Sequence, residues 1–208
     1  MPATTTRSLN YTGDDVARLR HGIDQIGFCA LDGALAESTR EQLLAEAQES
    51  FRGIPVTEHV DDRVRYRARI GTLGPIAMNF LQGGEAVRLI RSLFQARLSC
   101  SFGRSAYARY EAGDHLGPHL DEPERECSAT MITYLRTDTA ALAGGGAVPR
   151  LEVFGPKLTP GAAPILTIET TTGVVAFGRG AQVWHGRPRL LPGEAVVALT
   201  ACYGSYGS

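Results

Sequence analysis

Three side chains in this sequence have the types and spacing to do chemistry together. His119 and Asp121 stand two positions apart at the end of Tyr110-Glu-Ala-Gly113-Asp-His-Leu-Gly-Pro-His119-Leu-Asp121, and His185 follows much later in Val183-Trp-His185-Gly. In extended backbone, residues i and i+2 point to the same side, so His119 and Asp121 can address one ion while His185 closes the face from a distant strand. Two neutral imidazoles and one carboxylate are the donor set of a facial Fe(II) site, which leaves coordination positions open. On ligands alone a zinc, copper or manganese site is also compatible, although the chain has no HExxH helix.

The elements that must position these residues divide the chain in two. Before residue 98 the apolar spacing is helical. Val16, Leu19, Ile23 and Ile26 predict a helix over 11–26 capped by Thr12 or Asp14, and Leu43, Leu44, Ala47 and Phe51 a second with a Ser38–Glu41 capping box. Ala86, Leu89, Ile90 and Leu93 predict a third helix over 82–97. Between them, residues 27–31 predict a short strand, and residues 63–70 alternate with period two. Arg63, Arg65, Arg67 and Arg69 share one face of that strand. It is either a solvated edge strand guarded by charge or a place where an arginine such as Arg69 meets an acidic substrate.

From residue 98 onward helical spacing gives way to short β-type runs at 101–110, 129–135, 151–154, 165–169, 173–177, 182–185 and 195–201. Turn residues separate them, including the glycine run 144–146. Many short strands joined by Gly/Pro turns predict a barrel or jelly roll. The expected fold is therefore α+β, mainly β: a double-stranded β-helix (jelly-roll, cupin-like) core over 98–203, with a helical support region over 10–97 packed on one sheet. A single domain over 1–208 is expected.

Bulk properties narrow the partners. A formal net charge of −1 gives no basic field for nucleic acid or an anionic membrane, and no apolar run is long enough to span a bilayer. The first residues lack the apolar stretch of a secretory signal. Cys29, Cys100, Cys127 and Cys202 form no CxxC pair, and the expectation is four single buried thiols in a reducing, cytoplasmic setting.

Beyond the ligands, the residues in order from Tyr110 to Tyr203 resemble the prolyl-hydroxylase-like branch of the 2-oxoglutarate/Fe(II)-dependent dioxygenases. The resemblance runs through Tyr110-x-x-Gly113-x5-His119-x-Asp121, Met131-Ile-Thr-Tyr134-Leu135 and Leu151-Glu-Val-Phe154. It continues through Gly173-Val-Val-Ala-Phe177, His185-Gly-x-Pro188 and Pro192-Gly193 before Val196-Val-Ala-Leu-Thr200. Gly27-Phe-Cys-Ala-Leu-Asp-Gly33 ahead of a helix is similar too.

The resemblance implies Fe(II) held by His119, Asp121 and His185, 2-oxoglutarate as co-substrate, dioxygen as oxidant and ascorbate in support. It implies oxidation of an unactivated C–H bond, by hydroxylation, cyclisation or desaturation, in a small amino-acid-derived substrate in preference to a peptidyl residue. Halogenating relatives carry a small residue where Asp121 stands, so a non-halogenating enzyme is expected. Tyr134 and Tyr110 match positions that line the co-substrate pocket.

One position departs from the pattern. The family places an arginine or lysine shortly after the distal histidine to meet the far carboxylate of 2-oxoglutarate, and here Glu194, Ala195 and Val196 occupy that place. Arg187 is the first substitute, followed by Arg136, Arg109 and Arg69; His115 is a candidate substrate contact. A cupin-like metal dioxygenase that does not use 2-oxoglutarate and a non-catalytic barrel that binds a small acid are the alternatives.

Overall fold

The computed structural model describes residues 8–61, 64–139 and 148–205. In chain order the elements are α1 (Gly13–Ile26), β1 (Phe28–Leu31), α2 (Glu37–Ser50), β2 (Thr57–Val60), β3 (Arg65–Gly71), α3 (Pro75–Gln82) and α4 (Gly84–Phe94). They continue with β4 (Ser99–Tyr110), β5 (His115–His119), β6 (Ala129–Asp138), β7 (Arg150–Gly155), β8 (Leu166–Glu169), β9 (Val175–Gly178), β10 (Trp184–Arg187) and β11 (Ala195–Gly204). Arg63 and the glycine run 144–146 lie outside the described residues.

All the strand pairings are antiparallel, in the order β1-β9-β6-β11-β4-β3-β5-β10-β7-β8, with β2 added to β3. The strand β3 joins β4 of one sheet to β5 of the other, so the sheets face each other as a double-stranded β-helix, a jelly roll.

Alternation along the strands builds two cores. On β6, Met131 and Leu135 point out to the helices, whereas Ile132 and Tyr134 point into the barrel, and all four are buried. The outer core packs Leu19, Ile23, Leu43, Leu81, Leu89 and Ile90 against one sheet. Each such side chain removed from water contributes about 1.5–3 kcal/mol, which fixes the sheet's outward register. The inner core contains Tyr110, Tyr134, Leu151, Val153 and Ala198 and forms part of the wall around the histidines.

Several local expectations are corrected. Thr12 caps α1 through a full capping box with Asp15, but α2 begins at Glu37 with Ala36 at its N-cap and no side-chain cap bond, so Ser38 sits inside the first turn. The helix expected over 82–97 is α4, which buries the expected Ala86, Leu89, Ile90 and Leu93 but ends at Phe94, and a further helix, α3, not among those expected, precedes it across Gly83 in an extended conformation. Nor is β3 an edge strand: it has neighbours on both sides, and two of its arginines are paired. Arg67 meets the buried carboxylate of Asp114 at 3.2 Å and Arg69 meets Glu111 at 2.6 Å.

The cysteine reading is also corrected. Cys127 and Cys202 form a disulfide, while Cys29 and Cys100 are free. The pair is 75 residues apart in sequence and meets because the turn after Asp121 folds over the end of β11, a contact that spacing does not reveal. Disulfides persist in oxidising surroundings, so cysteine usage no longer argues for a reducing compartment. Among the described residues no helix is long and apolar enough to cross a membrane.

Candidate metal centre

The pairing of β5 with β10 sets His119 directly opposite His185. Their rings lie 4.5 Å apart between centroids, and that of His185 also packs 4.8 Å from Phe28. Asp121 lies two residues beyond β5 in sequence and is held there by its own N–H, which donates to the Gly180 carbonyl at 2.9 Å. Its Oδ1 is 3.3 Å from His119 Nε2 and its Oδ2 is 3.5 Å from His185 Nε2. The ligand atoms of the three side chains all lie within 4.8 Å of one another.

Both imidazoles are held in the tautomer a metal needs. His119 Nδ1 donates to the Gly117 carbonyl at 3.1 Å and His185 Nδ1 to the Val183 carbonyl at 3.0 Å. In its neutral form each ring therefore presents an Nε2 lone pair towards Asp121.

The electrostatics agree. Burial brings the pKa of His185 down to about 4 against the pull of the Asp121 carboxylate, so this ring is neutral near pH 7. Burial also opposes charge on His119, but the hydrogen bond and charge of Asp121 outweigh it and raise its pKa. Burial likewise works against the Asp121 carboxylate, yet the two histidines and Thr130 hold its pKa well below the usual carboxylate range. An anionic carboxylate beside a neutral His185 and a His119 whose proton a metal can displace fits a divalent cation with mixed nitrogen and oxygen preference.

The triad opens on a cavity of about 580 Å³ between the two sheets. Arg187, two residues beyond His185 on β10 and only 5% exposed, also lines it. Its guanidinium lies over the rings of Tyr110 and Tyr134 at 5.3 and 5.4 Å, and donates to Thr170 Oγ1 at 3.2 Å and the Arg150 carbonyl at 3.4 Å. Among the described residues no carboxylate lies within ion-pair distance of it. The buried Tyr134 hydroxyl has no well-formed hydrogen bond. Burial, opposed by Arg187, raises the pKa of both phenols, that of Tyr110 to about 12, so both remain neutral donors. A buried guanidinium without a counter-ion is costly, and an anion seated beside it offsets that cost.

The remaining sequence candidates lie elsewhere. Arg69 and Arg109 both reach Glu111, and Arg136 pairs with Asp138. None of the three lines the cavity. His115 lines a separate cavity of about 210 Å³ with Glu152, Phe154 and Arg189. Sequence reasoning missed Thr130, whose hydroxyl donates to Asp121 Oδ2, as well as Gly180 and Thr170. The available signal for Thr130 was period two: it shares the inward face of β6 with Ile132 and Tyr134.

No protein-family model matches the chain, and no curated protein matches it in sequence. Solved structures do share its fold. The nogalamycin-biosynthesis epimerase SnoN, a non-heme alpha-ketoglutarate-dependent protein, superposes with a TM-score of 0.72 at 15% identity, covering 93% of this chain and 82% of that one. A prolyl-4-hydroxylase from Pseudomonas putida gives 0.63 at 15% identity, covering 92% and 100%. HygX from Streptomyces hygroscopicus, solved with nickel, 2-oxoglutarate and hygromycin B, gives 0.65 at 14%, covering 93% and 87%. At these identities the likeness establishes the jelly-roll fold.

Proposed function

We propose that this chain is an Fe(II)- and 2-oxoglutarate-dependent oxygenase that oxidises an unactivated C–H bond, by hydroxylation, in a small amino-acid-derived substrate. The observation that carries the proposal is one cavity with a two-histidine, one-carboxylate cluster and a buried arginine that has no carboxylate partner among the described residues. The first fits Fe(II); the second fits the far carboxylate of a dicarboxylic co-substrate whose other end reaches the metal. The fold shared with SnoN, the prolyl-4-hydroxylase and HygX supports the reading.

In this reading His119 Nε2, His185 Nε2 and the Asp121 carboxylate hold iron. Arg187 receives the far carboxylate, with the neutral hydroxyls of Tyr134 and Tyr110 donating to it. A charged hydrogen bond of this kind is worth about 1.5–3 kcal/mol, and the two ring faces keep the guanidinium in place. When bound, iron and 2-oxoglutarate supply the oxidising chemistry, in which dioxygen and 2-oxoglutarate yield succinate and carbon dioxide and one oxygen atom goes to the substrate. Val64, Tyr66, Ile70 and Thr200 line the part of the cavity left for the substrate. Leu151, Ile132 and Ala198 exclude water around the co-substrate.

The test is to follow succinate from purified protein with Fe(II), ascorbate and 2-oxoglutarate, alongside the visible spectrum of the anaerobic iron complex. Spectral change on adding 2-oxoglutarate, lost in His119→Ala, is the expected result. Iron uptake without that change would favour a cupin-like dioxygenase that does not use 2-oxoglutarate. Absence of iron uptake would leave a non-catalytic barrel that binds small acids.

A further inference from the structure

The Asp121 carboxylate is held by a residue other than the two histidines. Thr130, only 4% exposed, reaches in from β6 and donates its hydroxyl proton to Asp121 Oδ2, while its Oγ1 also lies 3.5 Å from Cys127 Sγ. Beneath this contact lies Gly180, whose carbonyl accepts the Asp121 N–H at 2.9 Å. A Cβ at position 180 would fall 2.0 Å from Asp121 Oδ2 and 2.2 Å from Thr130 Oγ1, so glycine is required for the two side chains to meet.

The turn beyond Asp121 is tied down in turn. Cys127 is joined to Cys202, which sits opposite Thr130 in the β6–β11 pairing. Three attachments thus fix Asp121: the Thr130 hydroxyl on its carboxylate, the Gly180 carbonyl on its main-chain N–H and a covalent tie on the turn that follows it.

We infer that Thr130 is a positioning residue for the metal centre, orienting Asp121 so that it serves as a single-oxygen ligand. The inference rests on the metal-binding reading of the triad. The hydroxyl proton occupies a lone pair of Oδ2 and fixes the plane of the carboxylate. Oδ1 accepts no hydroxyl proton among the described residues and remains the stronger Lewis base. Single-oxygen ligation by Asp121 leaves open the positions that a bidentate co-substrate and dioxygen require. Partners that orient a ligand in this way commonly change metal affinity by about 10- to 100-fold when removed. Valine at 130 keeps the shape and removes the donor; serine keeps the donor.

The experiment titrates metal-free wild type, Thr130→Val, Thr130→Ser and Gly180→Ala with Co(II) and records the ligand-field spectrum. The expected result is a Thr130→Val affinity lower by about 10- to 100-fold, with an altered spectrum, and a Thr130→Ser affinity within about threefold of wild type. Melting temperatures of the metal-free valine and serine variants should be close to each other, which separates positioning from folding. Gly180→Ala should weaken binding in the same direction. If wild type and Thr130→Val bind Co(II) equally tightly, or Thr130→Ser is as weak as Thr130→Val, the role of Thr130 is overturned while the metal centre stands. If wild type takes up no Co(II), the metal centre and this role fall together.

Discussion

In the proposed function Arg187 is the residue on which the choice of co-substrate turns. It lines the cavity from the strand that carries His185, whereas positions 194–196, Glu194, Ala195 and Val196, supply no cation. Replacing it with methionine keeps the aliphatic stem between Tyr110 and Tyr134 and removes the charge. The expected outcome is a 2-oxoglutarate Kd raised about 10- to 100-fold with metal affinity unchanged, consistent with the 1.5–3 kcal/mol of a charged hydrogen bond. Anaerobic titration of the iron–2-oxoglutarate absorption band measures it, and an unchanged Kd would remove Arg187 from the co-substrate site.

A second prediction at this scale concerns a proton. In the metal-free protein Asp121 keeps His119 protonated to a pH above the ordinary imidazole value of 6.5, whereas His185 is already neutral above about 4. A metal needs the Nε2 lone pair, so binding expels the His119 proton, and affinity rises as pH climbs through that raised pKa. Calorimetric titration with Mn(II) in two buffers of different ionisation enthalpy should reveal proton release below the raised pKa and progressively less above it.

The element that matters most is the β5–β10 pair. These strands run close together because Gly186 has no side chain: a Cβ there would sit 2.7 Å from the Leu116 carbonyl and 2.9 Å from Pro118 N, both backbone atoms that cannot swing aside. Gly186→Ala must therefore push the strands apart and separate His119 from His185. Overpacking of this kind costs about 1–3 kcal/mol. A lower urea midpoint together with weakened Co(II) binding is expected, and retention of both would show that the strand spacing is not what sets the ligand geometry. The strands themselves were legible because period-two alternation and Gly/Pro turns are local properties. The short strand β2 and the helix α3 were not: β2 has little burial pattern of its own, and α3 is only eight residues long with Gly74 at its N-cap and no side-chain cap bond.

For the whole molecule, the covalent tie between Cys127 and Cys202 closes a loop of 75 residues that spans β6 to β11. Constraining the unfolded chain over such a loop stabilises the native state by about 2–4 kcal/mol. Cys127→Ser with Cys202→Ser, or wild type under dithiothreitol, should unfold at lower urea by that amount. Equal midpoints with and without reductant would mean that the cross-link contributes nothing to the fold. The helices contribute on the same scale by a different route, since their apolar faces cover the outer side of the sheet that holds Tyr134 and Thr130.

The sequence by itself determined the candidate ligand types, their order and the β-rich texture around them. His119 and Asp121 are neighbours, and alternation, turn residues and helical spacing are written over windows of a few residues. Only the tertiary structure decided which of several arginines enters the cavity, that Cys127 faces Cys202, and that Thr130 and Gly180 hold Asp121. Each of these depends on side chains brought together from strands distant in sequence, where sheet register and burial select the contact. Arg69, Arg109 and Arg136 look as plausible as Arg187 in one dimension, but their charges meet carboxylates outside the cavity, whereas that of Arg187 is buried inside it.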